Sequence, residues 1–112
     1  MMFKKKITQP SLQILPDGFS IVLGDEQTTL NWSEIEKITA YKVDRFTVDE
    51  VQLSIAIKDA IVFVSEEMEN WMSFVEEMST QLPELESDWI VNVTLPAFER
   101  NERVIYTKSE IN

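Results

Sequence analysis

The chain has 112 residues, of which 20 are Asp or Glu and 10 are Lys or Arg, so its net charge is -10. With 44% apolar residues and only two glycines, its composition is that of a folding chain, and its length suits one domain over 1–112. It contains no histidine and no cysteine, which excludes zinc sites built on those residues, Ser-His-Asp and Cys-His nucleophiles, disulfides and haem ligation by His.

At the amino terminus, Lys4-Lys5-Lys6 could open a secretory leader. The apolar core such a leader needs is broken by Thr8, Gln9, Pro10, Ser11 and Gln13. No stretch approaches the roughly 20 apolar residues of a membrane span, and a cytoplasmic location is the expectation. Phe19, Ile21 and Leu23 then alternate with Ser20, Val22 and Gly24, the period of a half-buried strand. Pro16-Asp17-Gly18 and Gly24-Asp25-Glu26 supply the flanking turns, and 27–32 returns as a hairpin partner. Ser33 and Glu36 fit a capping box that starts at most one helical turn, because the β-rich stretch 37–43 follows.

Val51, Leu53, Ile55 and Ile57 share one strand face, and Lys58-Asp59 is a tight turn into 61–64. That last run is apolar on both faces, which predicts a central or covered strand. The links between strands are too short for parallel crossovers, so four or five antiparallel strands are expected as one meander. Ser65 would then cap a helix with Glu66 and Glu67 in its first turn. Met68, Trp71, Met72, Val75, Met78 and Leu82 form its apolar stripe, Phe74 widens it and Pro83 ends it. The segment 87–93 reads equally as helix or strand, Pro96-Ala97-Phe98 as a loop, and Val104-Ile105-Tyr106 as a last short strand. Strands followed by a helix define an α+β class, a sheet packed against one amphipathic helix.

The net charge belongs to one segment. Residues 59–99 hold ten acids and no Lys or Arg, whereas the other ten acids balance all ten basic residues. On helical spacing Glu66, Glu69, Glu76 and Glu77 lie away from the apolar stripe, and Glu84, Glu86 and Asp88 follow in the exit loop. A solvated face that keeps the chain soluble is the plain reading. The sharper one is a docking surface for a basic protein, since a like-charge array accelerates encounter with its opposite. Such a face repels phosphates, which argues against nucleic acid as a partner.

Catalysis without His or Cys would fall to Asp, Glu, Lys, Tyr or Ser. Lys42, Asp44, Arg45, Asp49 and Glu50 gather around a strand-to-strand turn and could make a small polar site, although ion pairs flanking a turn are commoner. No acidic run has calcium-loop spacing, and Gly18 and Gly24 cannot build a phosphate cradle. A non-enzyme without metal or cofactor is expected. Trp71 is read as core; Trp32 and Trp89 are read as core too, or as interface anchors if exposed.

Several motifs carry a resemblance: Trp32-x-x-Ile35-x-x-Ile38, Ala40-Tyr41-Lys42-x-Asp44, Thr47-x-Asp49, Glu66-Glu67 with Trp71, and Pro96-Ala97-Phe98-x-x-Asn101 before Tyr106. Together, between Gly18 and Tyr106, they resemble a family of small uncharacterised bacterial proteins, which implies a soluble bacterial protein but attaches no chemistry to any residue. In size and acidity the chain is also similar to immunity proteins, which neutralise toxins delivered by neighbouring cells. The leading expectation is therefore an inhibitor that occludes a basic, nuclease-like toxin domain through Glu66, Glu69, Glu76, Glu77, Glu84, Glu86 and Asp88. The alternative is a structural or adaptor module that pairs through its sheet edge with another copy or a peptide.

Overall fold

The computed structural model describes residues 10–44, 49–95 and 100–109. The readings of the leader at 1–9, of Arg45 and Thr47, and of the Pro96-Ala97-Phe98 loop lie outside the described residues, as does the side chain of Asp44.

Strands β1 (Ser11–Leu15), β2 (Gly18–Leu23) and β3 (Glu26–Asn31) form an antiparallel three-stranded sheet in that order. Both connections are two residues long, and Gly24 takes the left-handed turn conformation at φ +62 that glycine accepts without strain. Gly18 is required for another reason: a Cβ there would sit 1.9 Å from the Leu30 carbonyl oxygen of β3. β3 ends in a 3-10 turn (Trp32–Glu34), where the Glu34 carboxylate accepts the Asn31 backbone N–H at 2.9 Å. The capping contact thus falls two residues before the Ser33/Glu36 position expected from sequence.

β4 (Lys37–Asp44), β5 (Asp49–Ile57), β6 (Ala60–Ser65) and β7 (Asn101–Thr107) make a second antiparallel sheet, ordered β6-β5-β4-β7. The α+β class is as expected, but the single meander of four or five strands is replaced, among the described residues, by two sheets with seven strands. The break falls where Trp32 and Ile35 turn into the core and interrupt the pairing between β3 and β4. Alternation along β5 follows the sequence pattern, with Val51, Leu53 and Ile55 buried and Gln52, Ser54 and Ala56 half-buried on the other face. The expectation for 61–64 is corrected: β6 pairs only with β5, and Ile61 and Phe63 are exposed on the sheet's outer face.

Two helices follow, α1 (Trp71–Gln81) and α2 (Trp89–Thr94). The expected start of α1 at Ser65 is also corrected. Ser65 closes β6, and its hydroxyl and carbonyl oxygens accept the N–H groups of Glu67 and Met68 in a turn. Glu69 is then held extended beside β1, its N–H donating to Pro10 and its carbonyl accepting from Leu12. Backbone groups committed to a strand cannot also nucleate a helix, so α1 waits until Asn70 reverses the chain at φ 70. Its buried stripe is Phe74, Val75, Met78 and Leu82 with Trp71 at the margin, and Met72 is 60% exposed.

One hydrophobic cluster runs through both sheets and both helices. Its aromatic centre joins β2, the 3-10 turn and α1: ring centroids lie 4.8 Å apart for Phe19–Phe74, 5.0 Å for Phe19–Trp32 and 5.7 Å for Trp32–Phe74. Trp32 and Trp89 are both core residues. The Trp32 indole N–H has no hydrogen-bond acceptor among the described residues. The segment 87–93 resolves as the helix α2, and the expected last strand is β7. No described helix is long and apolar enough to cross a membrane.

Candidate functional site

The two helices do not close on each other. Between them lies a groove of about 460 Å³. Buried Val75, Leu82 and Trp89 form its floor with half-buried Leu85, and Ile90 and Val91 of α2 stand exposed along one wall. Glu86 and Asp88 line it from the connecting loop. The groove exists because α2 has only six residues and buries Trp89 and Val93 alone. A helix that short has one inward stripe, so its other apolar side chains face solvent.

The seven acids expected to form one docking face separate into three groups. Glu66 and Glu69 precede α1, in the connection from β6, and on the helix Glu76 is exposed away from the buried stripe while Glu77 is half-buried at its margin. Glu84, Glu86 and Asp88 follow it, beyond a helix of 11 residues, which is about 16 Å long. The first group and the last are therefore at opposite ends of α1, and no single helical face carries all seven.

Their environments differ as well. The Glu66 carboxylate accepts the Val51 N–H at 2.6 Å, closing the end of β5. Glu77 accepts the Gln81 amide at 2.8 Å, and Glu84 accepts the Ser109 hydroxyl at a long 3.5 Å. Glu86 is held most firmly, by two hydrogen bonds from the Arg103 guanidinium at 2.7 and 3.1 Å and one from the Asn92 amide at 2.8 Å. Arg103, and after it Asn92, hold the Glu86 carboxyl below its ordinary value. The expectation that this acid stands unneutralised is corrected, because β7 brings a cation across the gap in sequence. Glu69, Glu76 and Asp88 are exposed, and their carboxylates meet no hydrogen-bond or ion-pair partner among the described residues.

Asp88 has a further peculiarity: it sits at φ 63, a conformation that costs most side chains about 1–2 kcal/mol and that glycine takes freely. Asp tolerates it better than most.

Around the β4–β5 end, Lys42 is fully buried, its ammonium donating to the Thr94 carbonyl at 2.8 Å and lying 3.6 Å from the Asp49 carboxylate. Asn101 donates to the carbonyls of Asn92, Val93 and Leu95. These side chains take up the carbonyls left over at the end of α2 and fasten that helix to the sheet. On the other face, Glu50 accepts the Ser65 hydroxyl at 2.5 Å and the Gln52 amide at 3.1 Å. No cluster of three or more acids able to hold a metal occurs among the described residues.

The groove's apolar lining is what sequence reasoning passed over. Its signal was Trp89-Ile90-Val91, three apolar residues in succession directly after an acid, more than a six-residue helix can bury. No family model matches the chain, no curated protein matches its sequence, and no solved structure matches it.

Proposed function

We propose that this is a non-catalytic, cytoplasmic binding protein of the immunity type, which occludes a basic partner such as a bacterial nuclease toxin domain. The observation that carries the reading is the groove between α1 and α2: an apolar floor with Glu86, which Arg103 neutralises, and Asp88, whose exposed carboxylate has no partner among the described residues, at its border. An apolar floor gives a partner's side chain area to bury, and the Asp88 carboxylate at its border favours a cationic one. Lys and Arg side chains have that dual character, an apolar stem and a charged head. Acids around the groove would take the place of the phosphates that a nuclease's basic site receives.

Charge acts here mainly on association rate, so the test is kinetic. The partner is isolated by co-purification from the native host, and its association is followed as salt rises. Association should slow steeply, and reversing Glu76, Glu84 and Asp88 to Lys together should slow it by about tenfold or more at low salt. Glu86 is left out of the reversal because its charge is already taken by Arg103. A rate indifferent to both salt and charge reversal would leave the acids as a solvated surface.

A further inference from the structure

We propose that the chain self-associates through the free edge of β6, two copies pairing antiparallel about a two-fold axis to make one continuous eight-stranded sheet. This does not rest on the binding function above. An open strand edge exposes unpaired backbone groups, and natural sheets blunt it with charge, proline, bulges or covering segments.

The other edges among the described residues are blunted in these ways. β1 is covered in part by Glu69, and β3 opens with the exposed charge of Glu26 and continues polar through Gln27, Thr28 and Thr29. β7 carries a register shift, and its Ile105 carbonyl accepts the Glu86 N–H. β6 has none of these features. Its six residues, Ala-Ile-Val-Phe-Val-Ser, carry no charge and no proline, and no described residue pairs with its outer side. Ile61 is 56% exposed and Phe63 61% exposed.

The backbone parity fixes what that edge can do. Glu66 donates its N–H to Val51 of β5, and Glu36 donates to Ala56 of the same strand. In an antiparallel ladder successive residues point their N–H and C=O groups to alternate sides. Val62 and Val64 therefore bond to β5, and Ile61 and Phe63 direct theirs to the open side. A two-fold axis at Val62 sets Ile61 of each copy opposite Phe63 of the other. Both residues have outward-facing backbone groups, so each of those two pairs can exchange two hydrogen bonds. The same register puts the two exposed side chains together on one face, the favourable arrangement for an aromatic and a β-branched residue. An edge whose two outward-facing residues meet each other across a two-fold axis is complementary to itself in both backbone and apolar side chains, so its occupant is a second copy of this chain.

Such an interface is small, and association is expected to depend on concentration. Sedimentation from micromolar to millimolar protein should show a discrete species of twice the 13.0 kDa monomer. Ile61→Lys, which changes only an exposed position, should weaken it by about tenfold or more. Phe63→Pro should do the same: it deletes an outward-facing N–H and leaves the β5 ladder its donors at Val62 and Val64. The chain's lack of cysteine allows a test of register. In the proposed pairing the two Val62 residues face each other at the separation of a non-hydrogen-bonded pair, within reach of a disulfide. Val62→Cys should therefore crosslink two copies under mild oxidation, and Val104→Cys on β7 should not. Three results overturn the proposal: a monomer at every concentration, association untouched by both edge variants, or equal crosslinking at the two cysteine positions. Circular dichroism confirms the fold of each variant, and Ile61→Lys carries the test alone if the proline variant does not fold.

Discussion

The position of α1 can be tested by exchanging the roles of two neighbouring side chains, Phe74 and Met72. Phe74 is fully buried and joins Phe19 and Trp32 in the aromatic centre, whereas Met72 is 60% exposed. Phe74→Ala removes a whole ring from a site bounded by strand, turn and helix and leaves a cavity that those elements cannot readily close. Substitutions of this kind cost about 3–5 kcal/mol. Met72→Ala gives up little buried area and should stay within about 0.5 kcal/mol of the parent. The unfolding entropy of a 112-residue chain is about 0.24 kcal/mol/K near its midpoint, so a loss of ~4 kcal/mol lowers Tm by about 17 °C. Scanning calorimetry and urea unfolding at neutral pH measure both variants directly. If Phe74→Ala cost no more than Met72→Ala, the helix would not face the core as described, and the groove between α1 and α2 would lose its wall.

Gly18→Ala should be severely destabilising, by about 3 kcal/mol or more, because its Cβ would meet the backbone of β3. Gly24→Ala has open space and only its positive φ to contend with, so a loss of about 1 kcal/mol is expected; chemical denaturation separates the two. Lys42→Ala removes a buried ammonium from beside Asp49 and from the carbonyl of Thr94, for an expected loss of about 3 kcal/mol. Adding Asp49→Asn should recover part of it, with a coupling of roughly 0.5–3 kcal/mol in the double-mutant cycle; strict additivity would mean that the two side chains do not interact. Glu86 titrates below its ordinary value of 4.5 because of Arg103 and Asn92. A lowered folded-state value adds stability above the unfolded-state value and loses it as pH falls through the folded one. The stability gap between the parent and Arg103→Ala should therefore be full at neutral pH and close in acid below 4.5, as urea unfolding across that range would record.

Local patterns were legible in the sequence where one interaction dominates. Alternation in β5, the Lys58-Asp59 hairpin and the end of α1 before Pro83 follow from side-chain period and backbone chemistry alone. The misplacements occur where a distant partner decides. Glu66 and Glu67 look like the first turn of a helix, and locally that reading is sound. What overrides it is β1, more than fifty residues earlier, which draws the backbone of Glu69 into a bridge. Likewise 61–64 reads as a covered strand because nothing in an apolar run says how many neighbours it will have. Only the strand order puts β6 on the outside.

The charge map was legible in total but not in distribution, and this bears on both proposals. Sequence shows that 59–99 contains ten acids with no internal cation. It cannot show that β7 returns Arg103 to Glu86, or that Glu66 spends its carboxylate on the Val51 N–H. With those two subtracted, and Glu77 and Glu84 in side-chain hydrogen bonds, Asp59, Glu67, Glu69, Glu76 and Asp88 remain exposed with no carboxylate partner among the described residues. Glu66 belongs to the β6 side of the molecule, where its carboxylate is held by the Val51 N–H. Asp88 belongs to the groove at the far end of α1. Reversal of Asp88 should then slow capture of a cationic partner and leave sedimentation unchanged, and Ile61→Lys should do the opposite. A variant at either position that altered both readouts would mean that the two surfaces are one.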